Sequence, residues 1–238
     1  MSSWAIVVPI LPGKEAALKA FTEQLAARLD EYVASRRSKG MTMERVYSME
    51  TPQGTMVTAY FEAEGDMDFP ALNQKLTASD KDIDKFFVNG LHDIHGIDFS
   101  QPMPGPGPEK ALEWGTPGAV RGRGLAFSVP LLPGKSGAVR AFFAEAVGPR
   151  RAEHDQSRRE KGLTLERAFL NVTPMGDVIC VYLEGDDPAR ANAEWAVSTT
   201  AYDTWFREKG RELSGIDFSQ PMPAISEVWD WHTAAATV

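Results

Sequence analysis

The sequence predicts an α+β fold made of two β-α-β-β-α-β repeats, and three internal matches carry that prediction. Pro9-Ile10-Leu11-Pro12-Gly13-Lys14 returns as Pro130-Leu131-Leu132-Pro133-Gly134-Lys135. Arg36-Arg37-Ser38-Lys39-Gly40-Met41-Thr42-Met43-Glu44-Arg45 returns as Arg158-Arg159-Glu160-Lys161-Gly162-Leu163-Thr164-Leu165-Glu166-Arg167. The nine residues from Gly96 to Pro104 return letter for letter from Gly215 to Pro223. Three long matches in the same order exclude coincidence. The chain is therefore read as residues 1–118, a first repeat with its linker, and residues 119–238, a second. Two copies of this length suit a pseudo-twofold pair better than a solenoid.

Each element follows from local pattern. Trp4-Ala5-Ile6-Val7-Val8 and Leu125-Ala126-Phe127-Ser128-Val129 are apolar runs stopped by proline, as first strands. Leu18, Phe21, Leu25, Leu29 and Tyr32 recur at three and four residues, which marks one amphipathic helix. Gly40 and Gly162 stand where such a helix stops, and in the second copy Gly148-Pro149 interrupts it. Strands Met43–Met49 and Met56–Glu62 flank the turn Thr51-Pro52-Gln53-Gly54. Leu165–Leu170 and Val178–Glu184 do the same around Thr173-Pro174-Met175-Gly176. Helices ending near Leu91 and Leu213 lead through proline-rich elbows to last strands at Ala111–Trp114 and Ile225–Trp231. Gly105-Pro106-Gly107-Pro108 and the Gly115–Gly124 stretch read as the linker. This order is the split ferredoxin-like pattern.

Composition narrows the function classes. The 238 residues carry 25 Lys+Arg against 33 Asp+Glu, a formal net charge of −8, which argues against a general nucleic-acid binder. No apolar run approaches the ~18 residues of a membrane span, and no charged-then-apolar leader is read at the start. The single cysteine, Cys180, forms no internal disulfide, so the reducing cytoplasm is the expected compartment. The expected partner is a small molecule, with neither nucleic acid nor membrane. A monomer with pseudo-dimeric halves and a dimer both fit.

The duplicated order resembles the dimeric α/β-barrel superfamily, in which two ferredoxin-like units pair their sheets. That superfamily includes antibiotic-biosynthesis monooxygenases, polyketide cyclases, stress-responsive barrels and haem-handling enzymes. The words Lys39-Gly40-Met41-Thr42-Met43-Glu44-Arg45-Val46-Tyr47, Tyr60-Phe61-Glu62-Ala63, and Ser79 with Ile83-Asp84 resemble a bacterial group of uncharacterised function within it. The resemblance implies a fused barrel related to monooxygenase-like proteins. One fold hosts many chemistries, so the site must be argued from residues.

Register supplies the first candidates. With Thr51 paired to Gly54, Arg45 lies opposite Tyr60 and Met43 opposite Glu62. Likewise Arg167 lies opposite Tyr182 and Leu165 opposite Glu184. Arg45 with Glu62, and Arg167 with Glu184, become diagonal neighbours on a polar face turned towards the partner sheet. Val57, Ala59 and Phe61 share the other face. The polar set either satisfies itself between the sheets or lines a pocket, in which case Tyr182 and Arg167 bind substrate.

The copies also disagree, and a molecule with one working site should show asymmetry. Leu29, Tyr32 and Val33 correspond to Arg151, His154 and Asp155. The second copy is richer in aromatics at Trp195, Tyr202 and Trp205. One reading makes His154 and Asp203 the acid–base residues, with Arg151, Trp195, Tyr202 and Trp205 holding a substrate. The other makes the aromatics core and the charges solvent-facing. The leading function is a cofactor-independent, monooxygenase- or cyclase-like enzyme for an apolar or aromatic molecule. A non-catalytic binding or stress-type barrel is the alternative. No cofactor and no metal are predicted from His92-x-x-His95, although His232 and His154 keep haem open.

Overall fold

Both repeats fold in the predicted order. The structure, a computed structural model, describes residues 1–98, 101, 107–173 and 175–233. The first repeat runs β1 (Ser2–Pro9), α1 (Glu15–Ala27), α2 (Leu29–Ser38), β2 (Met41–Thr51), β3 (Gly54–Ala63), α3 (Phe69–Thr77), α4 (Asp82–His95) and β4 (Glu109–Gly115). The second runs β5 (Arg123–Pro130), α5 (Ser136–Val147), α6 (Arg151–Glu160), β6 (Leu163–Asn171), β7 (Val178–Gly185), α7 (Pro188–Val197), α8 (Ala201–Ser214) and β8 (Ile225–His232). Pro102 to Pro106 of the predicted elbow and linker, and Pro174 of the second hairpin turn, lie outside the described residues.

The long helix expected between the first two strands is broken in both copies, not only at Gly148-Pro149. In the first copy the break falls at Arg28, whose backbone has φ −119° and ψ 28° and whose N–H donates to the carbonyl of Leu25 at 3.0 Å. The change of direction brings Tyr32 fully under the sheet and leaves Leu29 43% exposed. Gly40 and Gly162 end these helical stretches at φ +86° and +76°, a conformation that a Cβ opposes.

The strands form two antiparallel sheets among the described residues, ordered β1-β3-β2-β8 and β4-β6-β7-β5. The last strand of each repeat therefore crosses to the sheet of the other. β4 pairs with β6, and β8 pairs with β2. The hairpin registers are those the turns dictate: Arg45 opposite Tyr60, Met43 opposite Glu62, Arg167 opposite Tyr182 and Leu165 opposite Glu184.

The polar faces of the two sheets meet, and Arg45 and Arg167 each pair both with a carboxylate on the adjacent strand of their own sheet, Asp230 and Glu113, and with one across the gap. Arg45 donates to Glu184 at 2.9 Å and to the Tyr182 hydroxyl at 2.8 Å. Arg167 donates to Glu62 at 2.6 Å and to the Tyr60 hydroxyl. Arg121, on the connection between the repeats, reaches both carboxylates. Tyr60 and Tyr182 stack at the centre with centroids 3.6 Å apart and planes 7° from parallel. Glu62 and Glu184 are fully buried, and these cations pair both carboxylates. Space is tight here: a Cβ on Gly124 would lie 2.5 Å from the Tyr47 hydroxyl and 2.8 Å from the Arg45 guanidinium. The opposite, apolar face of each sheet packs under its helices, and that layer contains the cavities.

Candidate functional site

Between the second sheet and helices α5, α7 and α8 lies a cavity of about 90 Å³. Its wall is mostly aliphatic and aromatic, with Phe127, Phe142, Leu183 and Phe206 among its members. Arg158, Lys161 and Glu166 form one charged end. Trp195 of α7 and Phe218 and Met222, on the connection from α8 to β8, are half-buried and make the outer wall. An apolar chamber with a few convergent polar groups is the general form of a small-molecule site.

The first repeat has the same layer but divides it. Two cavities of about 60 and 70 Å³ lie there, and both are bordered by Phe61, Phe87 and Leu91. Helices α4 and α8 are both 14 residues long and end at the matching glycines Gly96 and Gly215, so Leu91 corresponds to Gly210. The hairpin register makes Leu183 the counterpart of Phe61. Two smaller side chains thus stand where the partition is in the first repeat. A Cβ on Gly210 would sit 2.9 Å from the Phe218 ring, so that glycine is also what lets the outer wall close against α8.

The charged end is set by α6 and β6. Arg158 is 4% exposed and donates to both Glu166 oxygens, from Nε to one and from Nη2 to the other at 3.3 Å. Burial pushes the Glu166 carboxyl up, but Arg158, helped by His154, outweighs it and holds the group below the usual carboxylate range. Lys161 donates to Asp203 at 2.8 Å, and Ser157 and Ser198 each donate to that carboxylate at 2.5 Å. Burial opposes the charge on Asp203, yet these donors bring its pKa down to about 2.

The sequence-predicted residues fall in different places. Trp195 reaches the cavity wall. His154 is fully buried one layer behind it, among the rings of Trp114, Tyr202 and Phe206. Its Nδ1 is 2.7 Å from the Tyr202 hydroxyl, and its Nε2 is 3.5 Å from Glu166 without a hydrogen-bond partner. Burial lowers its pKa to about 4, so the ring is neutral near pH 7. Asp203 stands with Lys161 rather than with His154. Trp205 packs on Tyr202 and Phe142 under the Arg150 guanidinium, 4.0 Å from its ring centroid. Arg151 is exposed on α6. Tyr182 and Arg167 belong to the inter-sheet network, on the face of β6 and β7 away from the cavity.

Arg158, Glu166 and Lys161 were missed because they recur in the other copy as Arg36, Glu44 and Lys39, whereas the search for a site followed the positions at which the copies differ. Gly210 had a legible signal, the change from Leu91 when the two helices are aligned through Gly96 and Gly215. His95 lies against the Pro9 carbonyl at 2.8 Å, and His232 is exposed beside Asp230. Among the described residues no group of three His, Cys, Asp or Glu side chains is placed to hold a metal ion. Neither His154, enclosed away from the cavity, nor exposed His232 fits as a buried ligand to haem. Nor does the cavity have room for a macrocycle.

Known proteins share this architecture at low identity. Residues 3–100 match the model of a family of unknown function, DUF6176. A "putative monooxygenase" from Fusobacterium nucleatum aligns over 99% of this chain and 96% of its own, at 10% identity and TM-score 0.52. One from Lactobacillus acidophilus covers all of both chains at 9% identity and TM-score 0.53. An anthrone oxidase-like protein aligns over 98% of this chain and 95% of its own, at 12% identity and TM-score 0.54. The likeness is one of fold. No curated protein matches the chain. Among the described residues no helix is long and apolar enough to cross a membrane.

Proposed function

We propose that the second repeat binds a small, largely apolar molecule bearing one acidic oxygen and transforms it in a monooxygenase-like reaction. The observation that carries this reading is the undivided cavity with a charged end, present in one repeat and partitioned in the other. A phenol or enol hydroxyl at that end donates to Glu166, while Arg158 and Lys161 favour the oxyanion over the neutral form. In that electron-rich anion the molecule itself supplies the electrons: one atom of dioxygen is kept as a new carbonyl oxygen, and the other leaves as water with the two hydrogens the molecule loses. His154 and Asp203 act here as positioning residues: His154 backs Glu166, and Asp203 fixes Lys161. The names of the structural neighbours, two "putative monooxygenase" proteins and an anthrone oxidase-like protein, agree with this reading.

The cavity is smaller than the ~150 Å³ that holds a benzene ring in an engineered core. A ring therefore enters by displacing part of the outer wall, where Met222 has three rotatable side-chain bonds. A second reading, non-catalytic binding, is favoured by the way Arg158 with Glu166 and Lys161 with Asp203 already satisfy each other. Dioxygen uptake and product analysis with simple phenols separate the two. The enzymatic reading expects uptake that falls at least tenfold in Glu166→Gln. Saturable binding without uptake leaves the binding reading, and absence of binding removes both.

A further inference from the structure

We propose that the bound molecule is elongated, with its ring in the inner cavity and a neutral apolar extension in a groove immediately outside it. The proposal rests on the reading that the inner cavity takes a ligand. The groove, about 420 Å³, lies between α7 and the segment from Ser219 to Ile225. It shares Asn192 and Met222 with the inner cavity, so these two side chains form the partition between the compartments. The partition is soft. Its polar tie is a contact of 2.8 Å from the Asn192 amide to the Met222 sulfur, a weak acceptor on a flexible side chain. Rotation of Met222 joins the two spaces.

The groove's own chemistry says what lies in it. None of its lining residues is charged. Its helical wall presents Ala189, Ala193 and Ala196, at spacings of four and three on one face of α7. The caps Asp68 and Asp187 align α3 with α7, and the counterparts of those alanines are Pro70, Gln74 and Thr77. Ala189 and Ala193 are exposed, and an exposed helix face is ordinarily polar. The repeat that loses the Leu91 side chain inside the partition thus also loses larger and polar side chains outside it. Both changes widen one path, from Gly210 past Met222 to Ala193. A charged tail finds no partner there, whereas an alkyl chain or further fused rings are covered by Pro221, Pro223 and Ile225.

The test uses the intact protein and 4-alkylphenols from methyl to octyl, with dissociation constants read by calorimetry. For the wild type, affinity rises roughly two- to fourfold per added methylene, as expected for burial of CH₂ groups. Ala193→Glu places a carboxylate in the groove at an exposed position that the fold tolerates. It should bind 4-methylphenol like the wild type and lose the gain with chain length, while Ala193→Ser keeps most of that gain. Wild-type affinity that stays flat from methyl to octyl, or a gain that survives Ala193→Glu, overturns the proposal and leaves the inner site standing. Failure of every phenol to bind overturns the inner site and this inference together.

Discussion

In the first repeat the buried guanidinium of Arg36 lies 2.8 Å from Asp84 and 4.0 Å from Glu44, and Glu44 is instead taken by the Tyr32 hydroxyl. In the second repeat Arg158 binds Glu166 directly, and Asp203 is left 3.9 Å away, in the hands of Lys161. The same charges at the same positions give opposite outcomes. Burial, only partly offset by Arg36, raises the pKa of Glu44, whereas Arg158 outweighs burial and lowers that of Glu166. The replacement of Tyr32 by His154, which removes the hydroxyl that takes Glu44, accompanies the change. The second repeat thus keeps a charged carboxylate at a cavity wall, and the first keeps a carboxyl in hydrogen-bonded contact with a phenol. Sequence identity between copies is therefore a poor guide to whether their sites are equivalent.

The comparison can be broken at Arg158. Arg158→Met strands the buried Glu166 charge and should cost about 3–5 kcal/mol in urea unfolding. Arg36→Met should cost less, about 2 kcal/mol, because Lys39, Ser35 and Ser79 still donate to Asp84 and Tyr32 still holds Glu44. Equal losses would remove the distinction between the two networks.

Acid titration gives the next effect. The folded His154 has its pKa depressed from 6.5 to about 4, so the unfolded chain binds the extra proton between those values. Stability from this group is complete above pH 6.5 and declines as the pH falls towards 4, by on the order of 3 kcal/mol in all. His154→Gln should flatten that part of the stability curve. An unchanged slope would mean that the imidazole is not enclosed as described.

Exchanging the partition residues sharpens the comparison further. Leu91→Gly should join the two first-repeat cavities and cost about 2 kcal/mol, from lost burial and a glycine within a helix. The reciprocal Gly210→Leu should lower affinity for a small phenol at least tenfold with a smaller loss of stability, since its Cβ meets the Phe218 ring rather than backbone. Calorimetry on both variants checks the pair, and retained phenol binding in Gly210→Leu would exclude the cavity as the binding place.

Much of the fold was legible because turns and periodicity are local. Thr51 and Gly54 place Arg45 opposite Tyr60, and the prolines after β1 and β5 end those strands. The exchange of β4 and β8 was not legible, because strand partners depend on packing between repeats and leave no mark in either strand's own pattern. For the same reason Arg45 was expected beside Glu62 in its own sheet and is found with Glu184 of the other sheet and Asp230 of β8. At the site, aromatic enrichment pointed to the repeat that holds the undivided cavity, and Trp195 reaches it. His154 and Tyr202 lie against each other one layer behind that cavity. A titratable ring suggests chemistry, but which face of α6 or α8 turns to the cavity and which to the core is decided by the neighbouring helix.

The exchanged strands bear on how the protein assembles. Two separate single-repeat chains with this pairing would each leave a sheet one strand short until they met, so their folding would depend on concentration. Joining them in one chain replaces that encounter with a ring closure whose effective concentration is set by the short segment between β4 and β5. Neither sheet can then be completed without the other repeat, and the two halves should melt together, at a temperature that dilution does not move.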